Sequence, residues 1–161
     1  MPTSDVSAIQ AIQAILAPAL GISAVGLLLL GLTNRYSTLI NRIRLLNSEK
    51  RNLARTFVKQ EQLEYRDNMR FVSIGQQIIE LLRRARMLRN AVLSMQIAIA
   101  MFVVSSATIG LNLFVTSRAM QLVPLIAFVL GMFAMLAGIV WAAIDVRQSF
   151  RVILIEVEAE E

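Results

Sequence analysis

The stretch Leu27–Phe57, LLLLGLTNRYSTLINRIRLLNSEKRNLARTF, passes from wholly apolar sequence into basic, polar sequence without a proline. Beyond Leu32 the apolar side chains Tyr36, Leu39/Ile40, Ile43, Leu46, Leu53 and Phe57 recur at spacings of three and four, and Lys50 takes the one polar register position. That period is helical, and no Gly, Pro or loop-type cluster interrupts it after Gly31. The pattern predicts one helix that crosses a membrane in its first half and is amphipathic in its second.

Working outward, the apolar part belongs to a run from Ile12 to Leu32, and two more runs follow, Ala91 to Val115 and Leu122 to Ile144. Each has the roughly 20 residues that a helix needs to cross a bilayer core. No Asp, Glu, Lys or Arg occurs in them, and Asp145 stands at the edge of the third. The chain has 161 residues, of which 57% are hydrophobic and only 17% charged, more apolar and less charged than a soluble domain. The fold class that follows is an all-α integral membrane protein with three transmembrane helices and a long antiparallel helical hairpin between the first and second. Its segments are 1–33 (N-terminal segment and first span), 34–90 (hairpin), 91–115 (second span), 116–121 (short loop), 122–145 (third span) and 146–161 (acidic tail). No Lys or Arg precedes the first run, so it lacks the basic front end of a secretory signal peptide.

The return arm of the hairpin keeps the helical spacing through Ile74, Ile78, Leu81/Leu82, Ala85, Leu88 and Val92. The polar segment KQEQLEYRDNM is the expected connection, and Gly75 is the weakest helical position. At the front, Ser7 and Gln10 have capping-box spacing, and Pro18 is expected to kink the first helix. The tail VRQSFRVILIEVEAEE suits either an extension of the third helix or a short strand.

The net charge of +5 is unevenly placed. Between Asn34 and Asn90 there are thirteen Arg or Lys and five acids. Positive loops are retained in the cytoplasm, which predicts an outside N-terminus, a cytoplasmic hairpin, an outside TSRAMQ turn and a cytoplasmic C-terminus. Anionic headgroups at the cytoplasmic face are the expected lipid partners, at about 1 kcal/mol per basic residue close to the surface. No motif for specific nucleic-acid recognition is present. Three apolar helices point to a bacterial inner or thylakoid-type membrane rather than an outer one.

Within lipid, helices associate through close packing of small residues and through polar contacts. Gly21, Ala24 and Gly31 on the first span and Ala127, Gly131, Ala134 and Gly138 on the third form such stripes, expected to pack helices within the protomer or between protomers. On the second span Ser105, Thr108 and Asn112 make a stripe that is also polar, a candidate groove or pore lining. Asp145 is a candidate interfacial ion-pair partner of Arg35, Arg86 or Arg89, and Trp141 a candidate interfacial anchor.

The sequence contains no Cys and no His, which removes a disulfide framework and the usual thiolate or imidazole metal ligands. It has no Walker loop, dinucleotide-binding turn or nucleophile elbow. No catalytic residue, cofactor or metal is expected, and the reading is of a non-catalytic protein. It self-assembles or joins a larger membrane complex and presents the basic coiled-coil hairpin for docking.

DVSAIQAIQAILAPAL followed by GLLLLGLTNRYSTLINRIRLLN, with Pro18 and the Asn34-Arg35-Tyr36 junction, resembles an uncharacterised family of small bacterial membrane proteins catalogued as a domain of unknown function. That resemblance implies three spans with a charged cytoplasmic insert, and no activity to carry over. In architecture alone, the order of one span, a cytoplasmic hairpin and two spans is similar to Oxa1/YidC/Get1-like membrane insertases. That likeness implies a polar intramembrane groove at Ser105, Thr108 and Asn112, although no cation lies within any span. An oligomeric ion channel lined by the same face of the second helix is the other alternative.

Overall fold

The computed structural model describes residues 8–59, 65–112 and 118–158, with side chains over 12–55, 69–112 and 122–147. Three helices make up the described chain: α1 (Ala8–Lys59), α2 (Tyr65–Asn112) and α3 (Arg118–Glu158). At 1.5 Å per residue α1 is about 78 Å long, more than twice the thickness of a hydrocarbon core. The helix that starts in the apolar run therefore continues through the polar junction. The hydroxyls near the junction are satisfied within the helix itself. Thr33 donates to the Leu29 carbonyl at 2.7 Å, Thr38 to that of Asn34 at 3.0 Å and Ser48 to that of Leu45 at 2.7 Å.

All three helices are long and apolar enough to cross a membrane. Their apolar stretches are mostly outward-facing: Leu27 is 73% exposed and Phe133 65%. Such a surface is stable against hydrocarbon and costly against water.

α2 is the centre of the arrangement, packed along both α1 and α3, which scarcely meet each other. Two stripes with a repeat of seven explain how one helix serves two neighbours. Leu81, Leu88, Met95 and Phe102 lie in the core with Val25, Leu32 and Leu39 of α1. The adjacent stripe Arg84, Ala91, Ala98 and Ser105 turns toward α3, as the contacts of Arg84 with Asp145, of Ala91 with Gly138 and of Ser105 with Pro124 demonstrate.

Several sequence expectations are sharpened. α1 runs through Pro18, which is buried, without a break. The tail is helical as far as Glu158 and not a strand. Arg118–Gln121, expected in the short loop, form the first turn of α3, and Tyr65–Met69, expected in the hairpin connection, begin α2. Ser7 and the rest of both connections lie outside the described residues.

Candidate functional site

Small residues on the outer helices receive large ones from α2. Phe102 is wedged between two glycines: a Cβ at Gly21 would sit 3.0 Å from one edge of its ring, and a Cβ at Gly131 2.8 Å from the other. Phe128 closes the site with its ring centroid 5.5 Å away and tilted by 44°, within the favourable range for aromatic pairs. Lower on α3, Gly138 lies against Met95 and the Ala91 carbonyl. Ala127, Gly131 and Gly138 are buried and Ala134 is partly so, which places the whole α3 stripe against α2. On α1 only Gly21 has this role. Ala24 and Gly31 are exposed, and a Cβ at Gly31 would meet nothing within 4 Å.

The polar residues of α2 are divided among different surroundings. Ser105 is buried and donates to the Pro124 carbonyl at 2.9 Å, joining α2 to α3. Thr108 is half-buried and donates within its own helix, to Val104 at 2.8 Å and Ser105 at 3.0 Å. Asn112 is half-buried at the last position of α2. Ser105 thus binds helix to helix rather than lining an open surface.

Asp145 is 3% exposed. Its Oδ1 lies 3.5 Å from Nε of Arg84, a charge contact longer than a formed hydrogen bond. The expected partners Arg35, Arg86 and Arg89 are all exposed. Arg84, not these three, meets Asp145 because it is seven residues from Ala91 and shares its α3-facing side, whereas Arg86 and Arg89 are turned away from it and Arg35 is on α1. Once Ser105 and Ala91 are placed on the α3-facing side, a step of seven below Ala91 leads to Arg84.

Away from the apolar belt, Glu49 and Arg70 pair at 2.6 Å across α1 and α2. Beside them Lys50 places its Nζ 4.9 Å from the Phe71 ring centroid and 3.5 Å from where a Gly75 Cβ would be. Lys50 thus occupies an apolar register position with its charge over an aromatic face, and a Cβ at Gly75 would make only an ordinary contact with it. Arg35, Arg42, Arg44, Arg51, Arg55, Arg83, Arg86 and Arg89 are exposed around this pair of helices.

A family match over residues 15–155 covers α1 from its second turn to near the end of α3. The chain belongs to DUF2721, a protein family of unknown function. No curated protein and no solved structure matches it. Among its described residues no cluster of acids is placed to hold a metal ion. A depression on α3 lined by Val129, Met132, Phe133, Met135, Leu136 and Ile139 is wholly apolar, a surface suited to acyl chains and not to a polar substrate.

Proposed function

We propose that this DUF2721 protein is a non-catalytic, multi-pass membrane protein that self-assembles or joins a larger membrane complex and presents the basic α1–α2 hairpin as a docking element. The observation that carries the reading is the continuity of α1 and α2 from an outward-apolar belt into a seam held by Ile74, Leu39 and the Lys50–Phe71 contact. A helix pair anchored in this way is ringed with exposed arginines, and its interior residues are spent on holding the pair together. We place the hairpin and C-terminus in the cytoplasm and the N-terminus outside, in a bacterial inner or thylakoid-type membrane, on the charge asymmetry between the loops. Anionic headgroups are the lipid partners at the hairpin base.

The insertase-like and channel readings rank lower because both need Ser105 on a hydrated surface, and its hydroxyl is used between helices. The test is the mass of the particle in nanodiscs together with crosslinking in cells. An oligomer, or a recovered partner at the hairpin, is expected. A lone monomer with no crosslinked neighbour defeats the proposal.

A further inference from the structure

On the hairpin, α2 carries apolar side chains that neither neighbour covers: Met69 is 59% exposed, Val72 52%, Ile79 70% and Leu82 47%. At 100° per residue Ile79 is turned by about 140° from Arg84, which faces α3, and by at least as much from Ile74, Leu81 and Leu88 on the side toward α1. The stripe therefore points away from the protein's own helices. Toward the membrane it continues as Arg83, Arg86 and Arg89, all exposed. The nearest acid on α2, Glu80, lies about 100° round from Ile79 on the α3 side, and Glu49 is paired with Arg70.

Two occupants are excluded by depth. From Leu82 to Val72 the stripe stands about 14 to 28 Å along α2 beyond Ala91, where the apolar run ends. A headgroup layer is only about 5–8 Å thick on each side, so lipid does not cover it. Every face of a second copy inserted in the same direction is basic at the depth of Arg83–Arg89. Counted from the Glu49–Arg70 pair α1 brings Arg35 there, α3 brings Arg147 from just beyond Asp145, and α2 brings the same three arginines. Among the described residues the one acid at that depth, Asp145, is buried, and like charges set against each other repel. Glu156 does not answer the charge either, because it lies eleven residues past Asp145 and so about 15 Å in depth from Arg83.

We propose that this face is the docking site of the hairpin and that its partner is an amphipathic helix of another protein, apolar on one side over about three turns and acidic at its membrane-proximal end. Met69, Val72, Gln76, Ile79, Arg83 and Arg86 follow one another at steps of three and four, the spacing of a seam between two helices. The partner's apolar side chains pack on Met69, Val72, Ile79 and Leu82, and its carboxylates meet Arg83 and Arg86, whose planar guanidinium groups suit them. The inference rests on the docking role proposed above and names the face and the chemistry of the partner.

The probes are two synthetic helical peptides of identical composition, titrated onto the full chain in nanodiscs of neutral lipid. One has leucines at steps of three and four and glutamates at one end, and the other has the same residues scrambled. The ordered peptide should bind at least about tenfold more tightly. Val72→Ser with Ile79→Ser should remove that difference, and Gln77→Ser should leave it. Arg83→Glu with Arg86→Glu should weaken the ordered peptide about tenfold, with recovery when its glutamates become lysines. Equal binding of the two peptides, or none, overturns the inference. In cells, a photo-crosslinking residue in place of Ile79 should join another protein, and a crosslink to lipid or to a second copy of this chain instead overturns the inference as well. A partner joined from Asn47 but not from Ile79 overturns this face and leaves docking by the hairpin standing. No partner from either position overturns both.

Discussion

Gly131 and Gly31 are the same residue type in similar helical sequence, yet the structure gives them opposite sensitivities. A methyl at Gly131 would lie 2.8 Å from Phe102 Cε1 and 3.3 Å from the Met101 Cβ. The ring cannot retreat, because its other edge is already held by Gly21. Gly131→Ala should therefore cost about 1–3 kcal/mol, the usual range for overpacking, and lower the thermal midpoint in detergent. Phe102→Leu in the same chain should recover part of the loss. Gly31→Ala enters open space and should be neutral or stabilising by up to about 1 kcal/mol; equal midpoints for the two variants would show that Phe102 is not confined. Asp145 and Arg84 give a second asymmetry. The Asp145 side chain keeps 5% of its exposure and that of Arg84 27%, so an arginine left alone can reach water along its flexible stem but the carboxylate cannot. Arg84→Ala should destabilise by about 3 kcal/mol, Asp145→Ala by less, and Arg84→Met with Asp145→Leu should lie above Arg84→Ala. Thermal unfolding of the four proteins checks the order, and Asp145→Ala as the worst variant would contradict it.

At the scale of elements, the hairpin is held by a few local choices whose contributions differ. The Glu49–Arg70 pair is exposed on both sides, so removing it should matter little. Gly75 is a different case, since a Cβ there would make only an ordinary contact at 3.5 Å with the Lys50 Nζ. Gly75→Ala should strengthen α2 by about 1 kcal/mol through helix propensity, seen as slower amide hydrogen exchange around residues 69–80. Faster exchange would mean that the lysine crossing needs the glycine. The elements themselves were legible in the sequence, because a period of three and four with no breaker admits one answer from Leu27 to Phe57. The pairing of faces was not. Asp145 could be placed in depth from its distance along α3, but choosing Arg84 over Arg86 or Arg89 requires the rotational phase of α2 against α3, which the buried Ala91–Ala98–Ser105 stripe sets. Ala24 and Gly31 share the helical spacing of Gly21 but not its buried face. Small residues share a spacing whether they face a neighbour or the outside.

For the whole molecule, the order of helices fixes a parity that can be measured. Three crossings put the N-terminus on one side and both the α1–α2 hairpin and the end of α3 on the other, whichever way the protein is inserted. In the orientation proposed above, the excess of eight positive charges between Asn34 and Asn90 holds the hairpin in the cytoplasm. Single cysteines at Asn47 and Arg147, which are exposed, should react with a membrane-impermeant maleimide in inverted vesicles and stay unreactive in right-side-out ones. A cysteine at Thr3, ahead of α1, should do the reverse. If Asn47 and Arg147 reacted on opposite sides, one apolar helix would not cross, and α3, whose apolar stretch is bounded by Arg118 and Arg147, would be the one concerned. If all three sites reversed together, the three-span arrangement would hold and the hairpin would face outward. In that event the basic surface could not meet the anionic cytoplasmic leaflet, and docking of a cytoplasmic partner would be excluded along with it. The orientation measurement therefore bears on function and on topology at once.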